Sequence, residues 1–283
     1  MQRDPLSPSA ASPPPPHAGG QACLLALASS GAWTSVALLR ADATGVECDS
    51  LAEPAGADQS TRLLAMIGEV LGGRDLGALS AIAFDAGPGA FTGLRIGCSV
   101  AQGLGFARGL PLIEVGSLES AAWRSLRLAG RPPALALVAN DARMGEIYAS
   151  LCLVRAPETD TEAPVVEVLA GPVVCRPDAP PTSMTRGALA ATRPDLAGLE
   201  WFAAGDAWRG VGLAAGWHEA LAGRDPVGAV AGDAHALAEL ALGLWRAGQG
   251  VPAEAASPRY VRDKVALDVD EQRRLREQRA VAR

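Results

Sequence analysis

Aromatic side chains are scarce. They make up 4% of the 283 residues, against 49% hydrophobic overall, so any core must be built from alanine, leucine and valine. Histidine and cysteine are few as well. The three histidines, His17, His218 and His235, form no metal-ligand pair, and His218-Glu219 lacks the second histidine that a zinc-protease helix requires. The five cysteines (Cys23, Cys48, Cys98, Cys152, Cys175) contain no CxxC, and their odd number argues against a disulfide framework. Scattered reduced thiols in a cytoplasmic protein are the expectation. Excess positive charge is also missing: 25 basic against 31 acidic residues give a net charge of −6, and Lys264 is the single lysine. No basic field is present to draw a nucleic-acid backbone over a broad surface. No apolar run approaches the ~20 residues of a membrane span. The one signal-like stretch, 22–28, is short and follows a four-proline block, so neither export nor membrane attachment is expected.

At ~150 residues per domain the chain should hold about two compact units. Residues 1–21 are proline-rich and too poor in apolar side chains for a core, which predicts a disordered extension. From there the pattern predicts a strand at 24–28, a turn Ser29-Ser30-Gly31-Ala32, a strand at 33–39 and a third near 45–51. A helix carrying Leu63, Leu64, Ile67, Val70 and Leu71 follows, stopped by Gly72-Gly73, and then a buried strand at 80–86. The order recurs. Strands are predicted at 134–141 and 146–154 around the turn Ala142-Arg143-Met144-Gly145, with others near 165–169 and 199–204. A helix capped by Gly232-Asp233 carries Leu237, Leu240, Ala241, Leu244 and Trp245. The fold class is thus α/β: two meander-helix-strand-helix units in tandem, the duplicated two-lobed plan of the actin-like (ASKHA) class. The lobes are expected at 22–112 and 113–268, with the last helix able to pack back on the first lobe and a charged tail at 269–283.

Between the buried strand and the next helix stands the most distinctive stretch, Gly87-Pro88-Gly89-Ala90-Phe91-Thr92-Gly93-Leu94-Arg95-Ile96-Gly97. Neither a P-loop nor a dinucleotide fingerprint fits its glycine spacing. Thr92 is the predicted N-cap. Gly93, Gly97, Ala101 and Gly105 then recur every four residues, placing them on one stripe. Glycine within a helix costs roughly 0.8–1 kcal/mol relative to alanine, so close helix packing must offset it. That stripe is a candidate partner interface; packing within the chain is the competing explanation. Asp141, Arg143 and Glu146 crowd one turn, where an acid–base role competes with an ordinary turn-forming one.

These stretches resemble the bacterial TsaB (YeaZ) family of tRNA threonylcarbamoyladenosine (t6A) synthesis. The resemblance rests on GPGAFTGLRIG at 87–97, AQGLGFARGLPLIEVGSLES at 101–120, NDARMGEIYAS at 140–150 and PRYVRDKVA at 258–266, within about 22–268. It marks Gly87, Pro88, Gly89, Phe91, Thr92 and Arg95 in one motif loop and Asp141, Arg143, Gly145 and Glu146 in another. It implies an actin-like fold without its own catalytic centre, which binds a catalytic TsaD-like subunit and is joined by a TsaE-like ATPase. That complex transfers threonylcarbamoyl to N6 of adenosine 37 in tRNA. ATP and magnesium would then belong to other subunits, tRNA would be met through the complex, and the isolated chain could be a homodimer.

Three departures stand out. Ala28-Ser29-Ser30 replaces the family's Asp-Thr-Ser, Gln59 stands where relatives often have histidine, and Ala90 replaces the usual serine. Loss of the acidic residue weighs against the alternative function, an actin-like nucleotide-dependent phosphotransferase or ATPase, because Mg²⁺ needs carboxylate ligands. A peptidase has no nucleophile-base constellation to rest on. The arginine-rich end (Arg273, Arg274, Arg276, Arg279, Arg283) lies outside the resemblance and reads as a solvated helix, with weak tRNA contact as the lesser alternative.

Overall fold

The computed structural model describes residues 21–130, 133–222 and 230–262. The extension expected at 1–21 therefore lies outside the described residues except for its last one, as do the charged tail at 269–283 and the end of the PRYVRDKVA motif. The chain opens with β1 (Ala22–Ala28), β2 (Trp33–Ala41) and β3 (Val46–Pro54), followed by α1 (Gln59–Leu71), β4 (Ala81–Gly87), α2 (Phe91–Arg108), β5 (Leu112–Gly116) and α3 (Ser117–Ala129). The second half repeats the plan with β6 (Ala134–Arg143), β7 (Glu146–Arg155), β8 (Val165–Cys175), α4 (Arg186–Thr192), β9 (Trp201–Ala204), α5 (Ala207–Gly210), α6 (Ala215–Ala220) and α7 (Ala234–Arg246).

The strands form two mixed sheets, ordered β3-β2-β1-β4-β5 and β8-β7-β6-β9. In each, an antiparallel meander meets a parallel neighbour: β1 pairs with β4, and β6 with β9. Because β5 pairs with β4, the first sheet continues to Gly116 rather than stopping at 112. Parallel strands covered on both faces read as continuous apolar runs, and β1 (ACLLALA) is of that kind. Its Leu24 and Ala26 face one core, while Leu25 and Leu27 face another.

The cores define the layers. Between the sheets, α3 and α7 contribute Leu118, Ala122, Leu237 and Ala241 to a core shared with Ala136 and Val138 of β6. Outside the first sheet, α1 and α2 bury Leu63, Met66, Ile67, Cys98 and Ala101. Outside the second, Leu189, Trp208 and Trp217 cover its other face. The last described helix, α7, contacts β1 and β2 of the first sheet. Asp233 caps it as read from the sequence, accepting the Ala236 N–H at 2.8 Å.

Two local expectations are corrected. The N-cap of α2 is Ala90, not Thr92; the Leu94 N–H already reaches the Ala90 carbonyl at 2.9 Å, so Thr92 lies inside the first turn with its side chain exposed. The hairpin of the second lobe is also tighter than the four-residue turn at 142–145. β6 runs to Arg143 and β7 begins at Glu146. The chain reverses by holding Arg143 (φ 64°), Met144 (φ 58°) and Gly145 (φ 77°) in the left-handed region, a conformation that costs nothing only at the glycine.

Candidate functional site

The glycine stripe of α2 is buried against the chain itself. A Cβ at Gly93 would collide with the Ser29 carbonyl oxygen, and one at Gly97 would lie 2.5 Å from Ser29 Oγ. At Gly105 it would meet Leu112 at 2.8 Å, and Ala101 has no exposed surface. The expected interface along Gly93, Gly97, Ala101 and Gly105 is therefore corrected to an internal contact. The stripe lets α2 sit directly on the β1–β2 hairpin and β5. Ser29 completes the join by donating its hydroxyl to the Gly93 carbonyl at 2.8 Å. Gln59, one of the departures, clasps the same hairpin: its buried amide donates to the Ser29 carbonyl and to Thr34 Oγ1, both at 2.8 Å.

The opposite face of α2 is the open one. Arg95, Ser99, Gly103, Phe106 and Ala107 are exposed there, with Ile96, Val100 and Leu104 half-buried. Phe106 is 78% exposed, and Leu64 on the adjoining α1 is 54% exposed beside exposed Ala65 and Gly68. From Ile96 to Ala107 on α2, and from Leu64 to Gly68 on α1, the sequence carries no charged side chain. Arg95, Arg108, Arg62 and Glu69 flank these stretches. An apolar centre with a charged rim is the anatomy of a protein interface.

Where an actin-like protein keeps its interlobe cleft, a cavity of about 40 Å³ lies among Ala28, Ser30, Trp33, Asp85, Gly89, Ser117, Asn140, Asp141 and Asp206. That volume holds a few waters and no nucleotide. Sequence reading missed Asp85, which sits at the C-terminal end of β4 beside Ala28. Its buried carboxylate accepts the hydroxyls of Ser30 and Ser117 (the latter at 2.5 Å) and the Gly87 N–H at 3.0 Å. Burial pushes its pKa above the ordinary carboxylate range, outweighing those donors. Burial likewise raises Glu119 on α3 and Asp206. Three protein donors already sit on the Asp85 oxygens and it faces only that small cavity, so a metal ion there would have to displace them. Among the described residues no cluster of three or more His, Cys, Asp or Glu could hold a metal ion.

Around the second motif loop the charges pair locally. Asp141 accepts the Arg143 N–H at 2.7 Å and its guanidinium at 3.0 Å, while its own N–H donates to Asp206 Oδ1 at 2.8 Å. Glu146 is taken by Arg262 at 2.5 Å. These contacts are those of a braced turn. His218 stands edge-on to Trp208, and His235 faces Glu239 at 3.6 Å. A larger cavity of about 1060 Å³ lies at the other ends of β1 and β2, walled also by Glu158 and Asp160 of the β7–β8 connection and by His235 and Glu239 of α7; Arg40 on its wall already pairs with Glu47 and Asp49.

Two sheets, each a meander with a parallel partner, and helices between and outside them define the actin-like (ASKHA) two-lobed α/β class. A family model described as tRNA N6-adenosine threonylcarbamoyltransferase (TsaD) matches residues 52–165. Over 130 residues the chain is 40% identical to the tRNA threonylcarbamoyladenosine biosynthesis protein TsaB of Haemophilus influenzae. That match takes in 45% of this chain and 52% of the relative, so the chain spans about half of that protein's length. In three dimensions it is similar to YeaZ from Pseudomonas aeruginosa, with a TM-score of 0.63 and 31% identity over 84% of this chain and 99% of that one. A second Pseudomonas aeruginosa structure, of an uncharacterized protein with similarity to peptidase YeaZ, gives a TM-score of 0.65 and 33% identity over 85% and 100%. The chain belongs to the TsaB/YeaZ family.

Proposed function

We propose that this chain is a non-catalytic scaffold and activator subunit of a complex that forms N6-threonylcarbamoyladenosine at position 37 of tRNA, and that it binds a TsaD-like catalytic subunit. One observation carries the reading: the YeaZ likeness runs through the whole described fold, while residues 52–165, containing α1 and α2, also match the TsaD model. A protein related to its partner can offer it an equivalent helix pair and associate by pseudo-twofold contact. The charge-free face around Phe106 and Leu64 suits that role, and a second copy of this chain would compete for it when the partner is missing. A TsaE-like ATPase, tRNA, ATP and magnesium enter through the other subunits, and the setting is the cytoplasm. No helix among the described residues is long and apolar enough to cross a membrane.

The test is co-expression with a TsaD-like subunit. The unmodified chain should co-elute with it and support threonylcarbamoyl transfer in the reconstituted system. Phe106→Asp should weaken association at least about tenfold, since a buried aromatic anchor is worth more than ~1.4 kcal/mol. Its melting temperature should not change, because Phe106 is exposed in the free chain. Undiminished binding by Phe106→Asp would move the interface off α2. An unmodified chain that neither binds nor supports transfer would overturn the reading.

A further inference from the structure

Three motifs far apart in sequence meet around residues 256–262. On the first lobe, the Ala256 carbonyl accepts from Gln102 of α2 at 3.0 Å, and the Ser257 N–H donates to Glu114 Oε1 at 2.9 Å. The Arg259 N–H donates to the Ala86 carbonyl of β4 at 2.7 Å, and its guanidinium to the Glu114 carbonyl at 3.1 Å. Tyr260 packs on Phe91, with ring centroids 5.3 Å apart, and its hydroxyl accepts from Arg95 Nε at 3.1 Å. Arg95 in turn lies 3.8 Å from the centre of the Phe91 ring. Two residues further on, the segment reaches the second lobe. There the Arg262 guanidinium donates to the Ala142 carbonyl at 3.2 Å and to Glu146 at 2.5 Å, and lies 3.6 Å from Met144 Sδ.

The two ends differ in what they hold. On the first lobe the segment lies along finished secondary structure: the end of β4, the first turns of α2 and β5. On the second it grips the hairpin tip, where Arg143 and Met144 stand in a left-handed backbone that no intrinsic preference of theirs supports. Arg262 bonds on both sides of that tip, at Ala142 before it and at Glu146 after it. The tip is also tied to the cleft, because Asp141 and Asp206 at its base line the small interlobe cavity.

We propose that residues 256–262 are an interlobe strap: anchored on α2 and β4 by Arg259 and Tyr260, the segment holds the β6–β7 hairpin tip in its left-handed turn through Arg262 and so couples the two lobes beside the cleft. Loosening either anchor frees the tip, including the anchor that never touches it. This does not depend on the chain's place in tRNA modification, and it is tested without any partner.

Hydrogen exchange on the full chain reads the coupling. Arg262→Ala should raise exchange at 141–146 about tenfold or more, while β1, β2 and the interior of β7 keep their protection. Tyr260→Ala, on the other lobe, should raise exchange at the same hairpin tip, whereas Tyr260→Phe, which keeps the ring on Phe91, should raise it less. Arg262→Lys should restore part of the protection lost in Arg262→Ala. If Tyr260→Ala changes exchange only around Phe91 and Arg95, the two anchors act separately and the strap is refuted. Loss of protection throughout both sheets in Arg262→Ala and Arg262→Lys alike would also refute it, by making the segment part of the core.

Discussion

Ser29 leaves no room for a side chain on the neighbouring turn of α2, and that decides what the glycines there do. A leucine at 97 gains roughly 0.6–1 kcal/mol of helix propensity but drives its Cβ onto the Ser29 hydroxyl, 2.5 Å away. Overpacking of this kind costs about 1–3 kcal/mol, so Gly97→Leu should lower stability overall. Gly103 has nothing within 4 Å of a built Cβ and lies on the exposed face, so Gly103→Ala should raise stability by up to about 1 kcal/mol. Chemical denaturation of both variants checks the pair; equal effects would mean that α2 is not seated on the hairpin. Asp85 supplies a pH test. Its folded pKa is raised by burial, so the protonated carboxyl is the form the fold prefers. Its contribution is complete below the unfolded value of about 4 and is lost as pH rises through the interval up to the folded value. Asp85→Asn cannot ionise, so the stability of the native chain relative to this variant should fall as pH rises from about 4. Parallel stability-versus-pH curves for the two proteins would contradict it.

At the scale of elements, legibility follows how local each signal is. The meander, the Gly72 stop of α1 and the Asp233 cap of α7 are readable because each is written in a few adjacent residues. The glycine periodicity of α2 is readable too, but not its direction. A stripe of small residues records only that something comes close, and here the neighbour is the hairpin at Ser29, some sixty positions earlier in the chain. The N-cap misleads for a related reason: Thr92 has a capping side chain, but the helix begins where the Gly89-Ala90 backbone leaves the strand, and Ala90 has no side-chain oxygen to announce it. β5 and α3 are harder to read, for different reasons. LIEVG is only five residues long, whereas α3 does carry a helical stripe, Leu118, Ala122 and Leu126, interrupted by buried serines such as Ser117, Ser120 and Ser125. Asp85 is hidden inside an apparently buried strand; only the hydroxyls that converge on it from Ser30 and Ser117 distinguish it from an ordinary mid-strand polar residue. The strap is invisible as a device, since the contacts of Tyr260 and Arg262 reach back more than a hundred positions.

At the scale of the molecule, the two-lobed architecture and the alanine at 28 pull in opposite directions, and the surroundings of Asp85 weigh toward the second. An actin-like protein that hydrolyses nucleotide needs a cavity between its lobes and carboxylates free to hold the hydrated metal. Here the cavity beside Asp85 is about 40 Å³ and three donors sit on that carboxylate, while Asp141 and Asp206 are engaged at the hairpin; the larger cavity, of about 1060 Å³, lies away from them at the other ends of β1 and β2. The molecule also leaves open an apolar helix face on the outside of the first lobe. The isolated chain is therefore expected to show no magnesium-dependent ATP turnover above background, and whatever stimulation of ATP use it brings about should require its partners. The measurement is phosphate release by chain purified through successive independent steps. Release that persists undiminished through repurification and disappears in Asp85→Asn or Asp141→Asn would place catalysis in this cleft and defeat the scaffold reading. Release that declines with each step would belong to a contaminant, the outcome the scaffold reading expects.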